Sequence, residues 1–262
     1  MHRWTVALLC SLTAAEMAQA SRETVDEILK CMEANQPADT AVQTVGMFST
    51  DRIGAELESR AKMYWKQFDD DRNRVLMRFS DPPDLRSASM LLVQLGDDRS
   101  DMFMYLPELK KVKRISGHMI SGSMFGLDFS YEDFERLQGL STEGETERLP
   151  DEEVSGRPAF KLVTVPEPDG DSGYERIVDF VDRESCLILK SEMYENGDRL
   201  RKVFTTKVDS IEKRDGRWYA LEVSMRDLRD ETSTRIVIEQ IEVGVEIDRR
   251  MFSQRSLESA GR

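Results

Sequence analysis

Residues 102–137 read MFMYLPELKKVKRISGHMISGSMFGLDFSYEDFERL, and the order of that stretch decides how the chain is expected to fold. Met102, Phe103, Met104, Tyr105 and Leu106 make an apolar, strand-compatible run. Pro107 stops it, because proline has no N–H to give to a ladder. Lys110, Lys111, Lys113 and Arg114 then place positive charge in a chain of formal net charge -13. Gly117, Gly122 and Gly126 alternate with Met119 and Met124 in a loop that is both mobile and apolar in composition. Ser130 suits a helix N-cap, and Glu132 and Asp133 follow where the helix dipole favours negative charge. Such a segment is either a contact surface for something amphiphilic or an ordinary loop closing over a core.

Outward from this stretch the period of the chain changes. Toward the N-terminus, Val25, Ile28, Leu29 and Met32 recur at helical spacing, and Asn35 and Pro37 end the helix they predict. Leu57, Ser59, Ala61, Met63 and Trp65 alternate with charged neighbours, giving a strand with one wet and one dry face, and Val75, Met77 and Phe79 return beside it. Further strands are expected over 88–95, 102–106, 160–165, 174–181, 187–194, 200–207, 218–227 and 234–243, with Asn196-Gly197 as a hairpin signal. The expected fold is mainly β: a strongly curved antiparallel sheet, an open or half β-barrel of about 10–11 strands. The N-terminal helix and residues 116–137 should pack in its concave side. Two helices are little cover for so many dry strand faces, so part of the concavity is expected to be a cavity.

The first twenty residues read as a secretory signal, with Arg3 as the positive end, an apolar run over 6–15, and Ala18-Gln19-Ala20 as the cleavage site. Residues 21–262 then form one expected domain, exported to the periplasm. Its loss removes Arg3 and Glu16, so the balance stays at -13, which speaks against nucleic acid and against adsorption to anionic lipid. Cys31 and Cys186 permit one disulfide in an oxidising compartment, although two buried thiols packing as small hydrophobes are the favoured reading.

Support for catalysis is thin. His118 is the sole histidine beyond the signal, which excludes a two-histidine metal site and leaves no base-and-nucleophile pattern. Asp69, Asp71 and Asn73 have the spacing of a calcium loop, but Arg74 stands where such a loop needs glycine, so a hairpin turn is expected. No enzyme activity, metal or cofactor is therefore assigned. Methionine is flexible and polarisable and suits acyl chains of variable shape. Met63, Trp65, Met77, Met90, Met102 and Met104 on dry strand positions, with Met119, Met124 and Phe125 in the loop, are the candidate lipid-binding residues. The loop around Gly122–Gly126 is the candidate lid. Lys111, Lys113 and Arg114 are candidate contacts for a lipid headgroup or acidic partner. Their presence on both strand faces fits equally an edge strand protected from aggregation.

Tyr105-Leu106-Pro107, then KKVKRI over 110–115, then SMFGLDFSYEDF over 123–134, resemble the outer-membrane lipoprotein-sorting protein family of LolA-like proteins, and VEIDRRMFSQRSL over 245–257 extends the likeness more weakly. This sequence departs from the family pattern at Met124, at Leu127 between Gly126 and Asp128, and at Ala220, where relatives often have proline. The resemblance implies a periplasmic carrier that holds lipid or lipoprotein acyl chains between a curved sheet and covering helices. It also implies, as partner, a membrane exporter of the resistance-nodulation-division type. A monomer is expected. The alternative is a non-enzymatic envelope docking protein with a fully packed core.

Overall fold

The computed structural model describes residues 23–37, 39–68, 72–96, 99–139, 144–168 and 170–259. The expected secretory signal and the turn residues Asp69 and Asp71 lie outside these. The chain opens with helix α1 (Val25–Glu33), whose N-cap Thr24 and Glu27 form a capping box. Six strands follow: β1 (Thr40–Thr50), β2 (Glu56–Gln67), β3 (Asn73–Asp81), β4 (Ser89–Gly96), β5 (Arg99–Leu106) and β6 (Lys111–Ile115). Helix α2 (Tyr131–Leu137) separates them from β7 (Gly144–Val154), β8 (Arg157–Pro166), β9 (Arg176–Asp182), β10 (Ile188–Glu195) and β11 (Arg199–Thr206). The hairpin β12 (Ile211–Arg214) and β13 (Arg217–Ala220) precedes β14 (Glu222–Asp227), β15 (Thr232–Val243) and the terminal helix α3 (Gln254–Ser259).

Thirteen strands form one antiparallel sheet, in the order β6-β5-β4-β3-β2-β1-β15-β14-β11-β10-β9-β8-β7, with β12 and β13 in a separate pair. The mainly-β, open curved sheet expected from the sequence is what the chain forms, with more strands than the ten or so counted. The first and last strands, β1 and β15, pair in the middle of the sheet, and two meanders spread outward from them. This topology dictates the position of residues 116–139. They connect β6 to β7, the two opposite edges, so the segment carrying α2 must cross the sheet face.

One face carries the largest core, in which Met47, Trp65, Met77, Met90 and Met104 of the strands meet Phe129, Tyr131 and Phe134 of the crossing segment. The opposite face was expected to be wet, and over β3–β5 it is not. Leu76, Leu91, Phe103 and Tyr105 are buried there beneath Ile247, Phe252 and Leu257 of the C-terminal segment. A third patch of that outer side, with Val178, Phe180 and Leu189, packs on Val208 and Ile211 ahead of the hairpin. The sheet therefore has more cover than two helices supply, and the cavity argument has to rest on the inner face alone.

α1 lies on Phe160, Leu162 and Val181 through Ile28, Val25 and Met32. Cys31 of α1 and Cys186 in the β9–β10 turn form a disulfide with Cα atoms 5.8 Å apart, within the range a bridge needs. The favoured reading of two separate thiols is thus corrected. The residues are 155 positions apart in sequence, and only the return of β9 and β10 under α1 brings them together.

Candidate functional site

Between α1, α2 and the inner face of the sheet lies a cavity of about 700 Å³, inside the ~300–1,000 Å³ range of small-molecule sites. Four candidates read from the sequence border it: Met63 and Trp65 of β2, Met77 of β3 and Met124 of the crossing loop. Alternation places them there, since residues two apart on a strand share a face. Met47, Phe129, Phe204, Val223 and Ile236 complete the apolar wall. The other candidates do not border it. Met90, Met102 and Met104 are buried in the core beyond, where Tyr131 Oη lies 3.2 Å from Met104 Sδ, and Met119 and Phe125 pack against that core from its edge.

The crossing loop is wired in place. Leu127 N–H donates to Met124 C=O at 3.0 Å, and Phe125 and Gly126 both adopt positive φ, 52° and 82°, closing a tight turn. A non-glycine residue in that region costs about 1–2 kcal/mol. The Phe125 ring is held there by Phe79 and Tyr131, at centroid distances of 4.7 and 6.2 Å. Asp128 accepts from the hydroxyls of Thr232 and Thr234, while its own N–H donates back to Thr234 Oγ1 at 3.0 Å. Met124 is 1% exposed. The loop is floor, not an open flap.

α2 continues the floor and ties it across the sheet with charged side chains. Ser130 is the N-cap, as expected, and forms a capping box with Asp133, whose carboxylate also accepts from Tyr174 Oη at 2.8 Å and Lys202 Nζ at 3.0 Å. Burial pushes the Asp133 carboxyl up, but Lys202 and the Ser130 N–H more than offset this and hold it below the usual carboxylate range. Tyr174 is driven well above its ordinary value by burial and by Asp133. Arg136 Nη1 donates to Asp179 Oδ2 at 2.9 Å, and Ser191 donates to the same carboxylate. Glu132 accepts from Ser172 Oγ and Gly173 N–H, and burial raises its carboxyl. Ser100 Oγ of β5 donates to Glu135. A helix of 7 residues thus reaches β5, β9, β11 and the β8–β9 turn.

α1 stands at the other side of the cavity. Its exposed residues Asp26, Leu29, Lys30 and Glu33 border the opening, which places the mouth alongside this helix. The chain leaving α1 is clasped by polar contacts. Asn35 Nδ2 donates to Ser185 C=O at 2.7 Å, and Asn35 Oδ1 accepts from Trp218 N–H at 3.0 Å. Gln36 Nε2 donates to Gln138 C=O at 3.1 Å, and Gln36 C=O accepts from Arg217 Nε at 2.6 Å. Asn35 was noted in the sequence only as a helix end, and none of these residues was read as part of a site. Asp179, charged within the apolar run Ile177–Val181, was the one visible signal of a polar spot on the inner face.

The basic cluster falls where its alternation suggested, on edge strand β6. Lys111 and Lys113 are exposed, and Arg114 pairs with Asp101. Arg114 also borders a smaller polar cleft of about 390 Å³ between the two sheet edges, where Gly117 N–H donates to Asp171 Oδ2 at 3.1 Å. Among the described residues, no helix is long and apolar enough to cross a membrane.

Comparison with known proteins agrees with this architecture. A family profile described as "Uncharacterized protein" matches residues 71–259. No curated protein matches the chain. A crystal structure of an outer membrane lipoprotein-sorting protein domain from Vibrio parahaemolyticus is 25% identical, with a TM-score of 0.77, covering 88% of this chain and 97% of that one. A DUF1329 family protein from Desulfovibrio piger is also 25% identical, with a TM-score of 0.80 and coverage of 88% and 96%. A LolA superfamily protein from Nitrosomonas europaea shares the fold at 15% identity and a TM-score of 0.68, covering 89% and 99%. The chain belongs to the family of the profile that matches residues 71–259, and the motif of residues 123–134 forms the floor of an open curved sheet similar to that of the outer membrane lipoprotein-sorting domain from Vibrio parahaemolyticus.

Proposed function

We propose that the protein is a periplasmic carrier, exported on residues 1–20, that buries acyl chains of lipids or lipoproteins and moves them between membranes without covalent chemistry. The observation that carries this reading is the cavity of about 700 Å³, walled by methionine and aromatic side chains where a docking protein would have a filled core. Burying an alkyl chain yields about 0.8 kcal/mol per methylene, so affinity is easily reached and release is the harder step. The crossing loop is too firmly bonded to serve as the lid expected from its glycines, and α1 takes that place. It borders the mouth, and its C-terminal end is held by the Cys31–Cys186 disulfide and by the hydrogen bonds of Asn35 and Gln36, so the N-terminal half, resting on the sheet through Val25 and Ile28, is the part that would lift. The role in lipoprotein sorting named for the Vibrio relative is consistent with such a cargo. The family likeness extends the proposal to a resistance-nodulation-division exporter as the donor or recipient membrane protein, with Lys111, Lys113 and Arg114 as its contact or that of a headgroup.

Native mass spectrometry of protein purified from its own host, followed by organic extraction, tests the reading. Co-purifying lipid and saturable uptake of a fluorescent fatty acid are expected. Protein that is clean in the first measurement and takes up nothing in the second would overturn it.

A further inference from the structure

The cavity wall is not uniform. Along β1–β3 it is formed by Met47, Met63, Trp65 and Met77. Along β7–β9 and α2 it is formed by Thr146, Thr164, Asp179 and Arg136. Thr146 and Thr164 face each other across the β7–β8 ladder with hydroxyls 2.9 Å apart. The Arg136–Asp179 pair beside them is deeply buried, the two side chains being 7% and 9% exposed. Arg136 Nε is buried and has no acceptor among the described residues. A hydrocarbon chain makes no use of such a group, and a buried donor without an acceptor is a cost the fold carries for some reason.

Building on the carrier reading, we infer that this polar half of the cavity receives the uncharged linkage of an acyl amphiphile, an ester or amide, while the hydrocarbon lies along the methionine half. The charge balance selects an uncharged group. Arg136 is matched by Asp179, and Lys202 by Asp133, so neither of these buried cations lacks a counter-charge. A free carboxylate would add an uncompensated negative charge beside Asp179 in a site with little water. An ester or amide carbonyl accepts the spare Arg136 N–H without adding charge, and the threonine hydroxyls adapt as donors or acceptors to the second heteroatom. Two sources share this chemistry: a glycerolipid ester and the acyl amide of an acylated protein terminus.

Displacement of a bound fluorescent acyl probe from the full mature chain tests the assignment, with three competitors of one chain length: a free fatty acid, its monoacylglycerol and its acylated glycinamide. At neutral pH at least one neutral competitor should act at a concentration about tenfold below the fatty acid, equivalent to ~1.4 kcal/mol. The tighter of the two identifies the source as glycerolipid or acylated protein. Lowering the pH toward about 4, where the free acid takes up its proton, should close the gap. Asp179→Asn should reverse the order, since Arg136 then lacks a counter-charge and attracts the carboxylate. Fatty acid displacing as well as both neutral competitors in the wild-type protein would overturn the inference, whether or not the variant folds. If none of the three displaces the probe and the probe itself binds no better than to denatured protein, the carrier reading fails instead.

Discussion

α1 and α2 begin alike and end in different roles. Both are short, 9 and 7 residues, and both open on a capping box, Thr24 with Glu27 and Ser130 with Asp133. The Thr24 box lies at the surface and satisfies only its own helix. The Ser130 box is buried, and its carboxylate is also the partner of Lys202 and Tyr174. The same local device is thus a terminus in one helix and the hub of a tertiary network in the other. The two helices differ in the number of distant strands each engages through buried charge.

The sharpest test of that difference is Asp133→Ala. It leaves Lys202 buried without its counter-charge, and losing one member of a buried pair costs about 3–5 kcal/mol. Thr24→Ala removes the equivalent cap of α1 and should cost about 1 kcal/mol. Chemical denaturation of the two variants measures both, and equal losses would dissolve the distinction. The double change Asp133→Leu with Lys202→Met should recover much of the first loss, because an apolar pair of similar volume carries no desolvation cost.

Next in size is the disulfide. Cys31→Ser with Cys186→Ser should lower stability by about 2–4 kcal/mol, and it frees the C-terminal half of α1 from the β9–β10 turn. On the carrier reading, release of a bound fluorescent acyl probe should accelerate in this variant. Slower release would mean that α1 is not the cover. A smaller effect of the same kind is expected from Asn35→Ala, which removes two hydrogen bonds across the mouth at about 1 kcal/mol each. Stopped-flow release should quicken, and the denaturation midpoint should fall by less than in the double cysteine variant.

The smallest effects separate the two ends by pH. Asp182, in the turn that carries Cys186, is pushed up by burial but held below its usual value by Arg157 and Ser185. A folded-state value below the unfolded one gives stability that is complete above the unfolded pKa and is lost as pH falls through the folded one. Asp182→Asn should therefore flatten the loss of stability below about pH 4. Glu132 has the opposite sign, since burial raises its carboxyl. Its ionisation opposes folding, so stability should rise as pH falls from neutrality toward about 4.3. Thermal midpoints of Glu132→Gln across that interval should lack the rise.

Much of the fold was legible because alternation is a local property. Met63, Trp65 and Met77 sit on the dry face their spacing implied, and they border the cavity. The strands that escaped notice lack that pattern for identifiable reasons. β1 is apolar on both faces, with Ala41, Val45 and Met47 in one core and Val42 against the other, so it shows no contrast of wet and dry positions. β7 is an edge strand with Glu145, Glu147, Glu152 and Glu153 along it and Pro150 within it, so it has little apolar surface to declare itself. Glycine content over 122–126 speaks of backbone freedom and not of what holds the loop. Phe79, Thr232 and Thr234, which pin it, come from strands remote in sequence.

The sequence by itself determined the class of fold, the apolar stripe of the first helix, the helix start at Ser130, the wet and dry faces of most strands, and the family likeness of residues 102–137. All of these depend on neighbours within a few positions along the chain. Only the tertiary structure decided that β1 pairs with β15, and that the segment of residues 116–139 therefore lies across the sheet face between the two edges. It also brought Cys31 to Cys186 and placed Arg136 against Asp179, so that an apolar cavity acquired one polar wall. Those outcomes depend on which strands become neighbours, and strand order follows from closing the whole sheet, which no local window of residues contains.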